Sequence, residues 1–177
     1  VVSTETDNIV FEDEAMKELC VKAFDTNGDG ELSYTEAAAV TDLSKMTLTK
    51  TTFETFNEFQ YFTSVKTVPS EYFSTIGLRE ITFPKSITTI GSSAFEGCVN
   101  LTAVVMNEGV KNISNYAFSG CTKLTTVYLP ESVTTIGSSA FSGCSSLTSI
   151  SIPKSVTSID SYALFKGCSS LTSISIP

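Results

Sequence analysis

The feature that most constrains this chain is a repeat. The segment 131–153, ESVTTIGSSAFSGCSSLTSISIP, has imperfect copies on both sides. A strand-ending marker falls at Pro84, Asn107, Pro130, Pro153 and Pro177, at steps of 23, 23, 23 and 24. Cys98, Cys121, Cys144 and Cys168 step by 23, 23 and 24. Two landmarks that share a period, and its one-residue slip, are no accident of composition. Periods of about 20 to 50 residues specify stacked arrays, because one such unit cannot bury its own apolar face. The chain must therefore fold as a solenoid or a related array.

Each unit divides into three pieces. The strand L-x-x-I-x-[IL] recurs at 78–83, 101–106, 124–129, 147–152 and 171–176, with its fourth and sixth residues inward by strand alternation. Pro or Asn ends it, since Pro cannot continue a central ladder. A second extended piece, S-V-T-T-I and its variants, carries Ile87/Ile90, Val110/Ile113, Val133/Ile136 and Val156/Ile159 inward. The third piece reads as one tight helical turn. Gly91, Ser114, Gly137 and Asp160 suit its N-cap, and Gly97, Gly120, Gly143 and Gly167 suit a left-handed exit. Phe95, Phe118, Phe141 and either Leu164 or Phe165 then form an aromatic spine, and the 24-residue unit predicts a bulge at Leu164–Phe165. The first unit, 65–84, is degenerate and lacks the Gly-Cys pair, as terminal repeats tend to be.

Five cysteines are an odd number, and four of them hold one repeat position. Rungs about 4.7–4.9 Å apart bring neighbouring cysteines within bridging range. A disulfide framework pairs cysteines irregularly, however, so the column reads as free thiols acting as small hydrophobes.

Net charge is −8, and its distribution divides the chain. Residues 1–44 hold eleven acids against Lys17 and Lys22, or −9, leaving +1 for the remaining 133 residues. Neither part carries the basic stripe of a nucleic-acid footprint, and no apolar run approaches a membrane span. In the acidic head, Phe11, Ala15, Leu19, Ala23 and Phe24 recur at helical spacing, with Met16 and Cys20 one place on.

That helix runs into DTNGDGELSYTE at 25–36, which fits the twelve-residue calcium loop D-x-[DN]-x-[DN]-G-x5-E. A hard cation wants six to eight oxygens, and short side chains at loop positions 1, 3 and 5 can wrap it. Those are Asp25, Asn27 and Asp29. Gly30 makes the sharp turn, Glu31 offers its backbone carbonyl, Ser33 sits at the water-mediated position, and Glu36 closes the shell. Leu32 should point into a core, and a second helix, TEAAAVTDL, should end near Ser44. The expectation is an EF-hand-like helical cap at 1–44 with one structural Ca²⁺, because sensor hands usually work in pairs. Residues 45–64 read as a transition to the solenoid at 65–177. Phe53, Phe56, Phe59 and Phe62 recur there every three residues, a helical face or an extended Thr/Phe-rich stretch docking the cap.

The unit [LV]-x-x-[IV]-x-[LI]-P-x-S-V-T-x-I-G-x-x-A-F-x-G-C resembles the BspA-like (Treponema pallidum-type) leucine-rich repeats of bacterial surface proteins. The head, IVFEDEAMKEL…FDTNGDGELSYTEA, is similar to calcium-loop segments preceding such repeats in Bacteroidetes and related gut anaerobes. The resemblance implies an α/β leucine-rich-repeat solenoid of 23-residue coils whose concave face is the parallel sheet. It also implies a secreted or surface-attached protein that binds macromolecules, in some members host extracellular-matrix proteins. The start, VVSTETDN, lacks the charged and apolar regions of a secretory signal, so the chain reads as mature or trimmed.

Catalysis is not expected, because there is no histidine and no recurring pair of acids suited to acid/base work. A protein-binding or adhesion module is. Its exposed columns are Glu80, Ala103, Thr126, Ser149, Ser173 and Thr82, Val105, Tyr128, Ser151, Ser175, with Arg79, Glu80, Val105 and Tyr128 as the candidate contact patch. The alternative is a spacer or stalk that presents another domain, which the bland Ser/Thr rungs suit. The final strand, SISIP, has no polar cap, so it should continue or associate edge to edge.

Overall fold

A computed structural model of the chain describes residues 7–48, 53–159 and 163–176. The repeat builds a parallel β-solenoid with few helices. Every coil contributes one short strand to each of two columns. In the first column β2 (Thr67–Val68), β4 (Thr89–Ile90), β6 (Asn112–Ile113), β8 (Thr135–Ile136) and β10 (Ser158–Ile159) form one five-stranded parallel sheet. Its register aligns Val68, Ile90, Ile113, Ile136 and Ile159.

The second column is made of parallel pairs. They are β1 (Thr55–Phe56) with β3 (Glu80–Ile81), β5 (Ala103–Val105) with β7 (Thr126–Tyr128), and β9 (Ser149–Ser151) with β11 (Ser173–Ser175). Because β1 pairs with β3, the parallel ladder already begins ahead of residue 65.

The third piece of each coil is not the expected helical turn. It is a run of alternating-hand turns: Ala94, Glu96 and Cys98 donate N–H to the carbonyls of Gly91, Ser93 and Phe95. Ser93, Tyr116, Ser139 and Ala163 have φ of 55–58°, and the exit glycines have φ of 71–77°. A helix would spend every N–H inside its own coil. Alternating hands instead turn every second N–H along the stack, where Phe95 reaches Ala117 O and Phe118 reaches Ala140 O, both at 2.8 Å. Approach is close at the turn's start, since a Cβ on Gly137 would lie 2.5 Å from Asn115 N.

The expected bulge at Leu164–Phe165 is corrected too. Ile159 keeps a 23-residue step from Ile136, whereas Ala163 repeats the left-handed backbone of Ser139 after 24. The longer step is therefore already in place at Ala163. Residues 160–162, with the capping role expected of Asp160, lie outside the described residues.

Inside the coils runs the aromatic spine. Phe73, Phe95, Phe118, Phe141 and Phe165 stack at centroid distances of 5.1, 5.1, 5.6 and 6.2 Å with interplanar angles of 16° or less. Of the two residues open at the last rung, Phe165 takes the spine, and Leu164 is buried in the place Ala140 holds one coil earlier.

The cysteine column flanks the spine as free thiols. Cys98, Cys121, Cys144 and Cys168 each donate S–H to the Phe carbonyl of the preceding coil, at 2.9–3.2 Å. Burial pushes the Cys98 and Cys144 thiols up to about 12 and raises those of Cys121, Cys20 and half-buried Cys168.

At the head, α1 (Glu14–Phe24) is capped by Asp13, whose Oδ1 accepts N–H from Ala15 and Met16. Its fully buried face is Met16, Cys20 and Phe24, one place on from the predicted stripe. The second helix, α2 (Tyr34–Ala39), stops well short of Ser44. Between head and coils lies a 3₁₀ helix, Asn57–Tyr61. Three residues per turn put Phe56, Phe59 and Phe62 on one face, where they pack against Phe24, Phe73 and Phe83. Carboxylates join the two parts: Glu58 accepts N–H from Glu12 at 2.8 Å, and Asp13 accepts it from Glu54 at 2.9 Å. The Tyr72 hydroxyl reaches the carbonyls of Leu43 and Met46.

Two measurements check this packing. Phe118→Ala removes a fully buried ring stacked on both faces, so denaturant unfolding should show a loss of about 3–5 kcal/mol. Thiol titration of the native protein should label Cys168 first, with the other four cysteines reacting only on unfolding.

Candidate functional site

Outward residues of the second column form the surface that the sequence singled out. Along β5 and β7 the middle residues turn inward and the flanking ones outward. Ala103 stands beside Thr126, and Val105 beside Tyr128. Val105 is 65% exposed and Tyr128 55%, an apolar pair on adjacent rungs of a rigid ladder. The Tyr128 hydroxyl lies 3.4 Å from Glu108 Oε1, which adds a carboxylate to the patch.

Arg79 and Glu80 are exposed on the preceding rung, but Arg79 is engaged. Its guanidinium meets Glu54 at 3.0 Å, and its N–H donates to the Glu54 carbonyl. Thr82 donates to Asn57 Oδ1 at 2.8 Å, so this rung is tied to the segment before it. The structure thus brings Val105 and Tyr128 together, whereas Arg79 and Glu80 lie on the preceding rung, with Arg79 beside Thr102, whose N–H donates to its carbonyl. Glu108 shares its repeat position with Glu131, which gives no sign of its contact with Tyr128, and the 25-residue step from Thr55 to Glu80 breaks the period that would have revealed the Glu54 contact.

The head loop has a compact internal order. Asp25 accepts N–H from Gly28 at 2.7 Å and from Gly30 at 3.0 Å, Asn27 accepts from Asp29, and Asp29 accepts from Glu31. Gly30, with φ of 83°, makes the turn. Ser33 and Glu36 form a reciprocal capping box that starts α2. Burial works to raise the Glu36 carboxyl, but hydrogen bonds from Ser33 and Thr26 outweigh it and hold the group down at about 2. The Glu31 side chain turns away to Lys17 at 2.9 Å, which leaves its backbone carbonyl as its contribution to the loop. Leu32 is fully buried, as the loop pattern requires. Among the described residues, no three His, Cys, Asp or Glu side chains converge as a metal-holding group. The loop's donor set is otherwise made of Asn27, the Glu31 carbonyl and Ser33 beside three carboxylates, all hard oxygens suited to calcium.

The repeat decides the family. The model for the BspA type leucine rich repeat region matches residues 44–172 in six copies. The chain belongs to the BspA-type leucine-rich repeat family.

Solved leucine-rich repeat structures share its fold. The chain is 34% identical to a leucine-rich repeat protein from Bacteroides ovatus, with a TM-score of 0.61 over 65% of this chain and 30% of that one. It is 30% identical to a leucine rich cell surface protein from Faecalibacterium prausnitzii, with a TM-score of 0.59 over 63% and 30%. To the Treponema pallidum leucine rich repeat protein it is 28% identical, with a TM-score of 0.58 over 63% of each chain. It thus spans between 30% and 63% of these structures' lengths. No curated protein matches the chain. Among the described residues no helix is long and apolar enough to cross a membrane.

In this BspA-type ladder the patch is a surface feature and not a structural one. Val105→Ser combined with Tyr128→Ser should change the unfolding free energy by no more than about 1 kcal/mol, read from urea unfolding.

Proposed function

We propose that this BspA-type chain is a non-catalytic protein-binding module of a cell-surface protein, capped by a head at 1–44 that holds one structural calcium ion. The observation that carries the binding reading is the Val105–Tyr128 pair. Monomer surfaces scatter large apolar side chains singly, whereas neighbouring exposed ones mark contact sites, and aromatic anchors concentrate binding energy. The ladder beneath holds the pair rigid, so little ordering is lost on association. Glu108 sets a polar group beside it, and Arg79 and Glu80 stand on the preceding rung. The Faecalibacterium prausnitzii relative is described as a cell surface protein, which supports the same placement here. The expected partner is a protein, with host extracellular-matrix or surface proteins as the class the family resemblance suggests. A spacer reading keeps one supporting observation: from β9 onward the outward rungs are serine.

An array of matrix and surface proteins probed with this chain separates the two readings. The expected result is a ligand whose affinity falls at least about tenfold in Tyr128→Ala with the fold intact. Binding that survives Tyr128→Ala and Val105→Ser refutes the patch, and no binding by this chain while a longer form of the protein binds favours the spacer.

For the head, Asp25, Asn27, Asp29, the Glu31 carbonyl, Ser33 and Glu36 would hold the ion, which would clamp the two helices against the 3₁₀ segment. Excess EDTA should lower the melting temperature, and Glu36→Gln should remove that sensitivity. Equal melts with calcium and with EDTA would refute the site.

A further inference from the structure

The loop at 25–36 has a neighbour from outside it. Ile9 donates its N–H to the Leu32 carbonyl at 2.8 Å, and Tyr34 donates its own to the Asp7 carbonyl at 3.0 Å. These two bonds make Asn8 and Ser33 the opposed residues of an antiparallel bridge. They form its non-hydrogen-bonded pair, the kind in which facing side chains stand closest, with Cα atoms about 4.5 Å apart. Ile9 and Leu32 turn into the core, at 3% and 0% exposure. By strand alternation Asn8 and Ser33 share the other face, and Ser33 is loop position 9.

Hydrogen bonding sets Asn8 apart from the loop beside it. Every side-chain oxygen of Asp25, Asn27, Asp29 and Glu36 accepts from a donor inside the loop. Ser33 Oγ is engaged in both senses, donating to Glu36 Oε2 at 2.9 Å and accepting from the Glu36 N–H at 3.2 Å. Asn8 Oδ1 is buried and has no donor among the described residues. A buried amide oxygen is costly to leave unmatched, so it calls for a donor that the chain itself does not supply.

The place of Asn8 says what that donor is. Position 9 of such a loop usually reaches its ion through a water. With the Ser33 hydroxyl held in the capping box of α2, the free acceptor beside that position is Asn8 Oδ1. Water on a divalent cation donates a charge-assisted hydrogen bond, which an amide oxygen can accept.

We propose that Asn8 is a positioning residue of the calcium site, its Oδ1 accepting a hydrogen bond from the water at loop position 9. This rests on the calcium reading of the loop and adds a residue from outside the motif, carried to it by the bridge. Ion binding and the docking of residues 7–9 then reinforce one another, since coupling between two events is reciprocal.

Calcium titration calorimetry on the full chain, with Asn8→Leu and Asn8→Asp beside it, reads the effect. Asn8→Leu keeps the bridge backbone and removes the acceptor, so affinity should fall about tenfold or more, as outer-shell losses do. Asn8→Asp keeps an acceptor and adds charge, so it should bind at least as tightly as the unchanged chain. In EDTA, Asn8→Leu should melt no lower than the unchanged chain, because it removes an orphaned oxygen. A purely structural asparagine would show the reverse, a lower melt at unchanged affinity. Should Asn8→Leu fail to fold, Asn8→Ala takes its place. Equal calcium affinity in the folded variant and the unchanged chain overturns the role of Asn8 and leaves the ion in the loop. No binding by the unchanged chain, with equal melts in calcium and EDTA, overturns the site and the role of Asn8 together.

Discussion

Everything in this molecule depends on identical groups meeting identical groups one coil later. The rings of Phe95 and Phe118 lie 5.1 Å apart with 5° between their planes, and that spacing matches what parallel strands impose on either side. Stacking, strand pairing and turn hydrogen bonds therefore share a single translation. A change in coil length would put all three out of step at once, which explains why the period is so strictly kept. The one longer coil is informative for the same reason. Ile159 still keeps the 23-residue step, and the ring column resumes at Phe165 after 24.

The cysteine column shows how finely the coil is fitted. Cys98 and its counterparts satisfy a carbonyl that the alternating turns leave partly open, while adding only a small apolar group beside the rings. Alanine would fill the space without the donor, and larger residues would not fit between fully buried neighbours. At the other end the stack is closed by different means. The 3₁₀ helix, with its three-residue period, lets Phe56 and Phe59 continue the aromatic core while the carboxylates of Glu58 and Asp13 hold the head in place.

Much of this was legible from residue order. The period gave the solenoid, alternation gave the inward set, and the outward columns located Val105 and Tyr128. The turns read as helical in the sequence because Gly-Ser-Ser-Ala-Phe-x-Gly satisfies helix capping rules equally well, and only the neighbouring coil's carbonyls tip the balance toward alternating hands. The strand at Thr55 was hidden because its partner lies 25 residues on. The Phe53–Phe62 periodicity left helix and strand open, and the structure uses a strand followed by a 3₁₀ turn. Glu54 and Glu108 act through tertiary neighbours, and the repeat position that Glu108 shares with Glu131 says nothing of its contact with Tyr128.

The direction of the coil-to-coil hydrogen bonds also sets how the chain carries load. These bonds lie along the stacking axis, from Phe73 to Ala94 and on through Phe118 to Ala140. Tension along that axis pulls each row apart head-on, one interface after another, and does not shear several rows together. The stack therefore yields coil by coil at low force, paying out chain while the remaining coils, and the Val105–Tyr128 patch in their middle, stay folded.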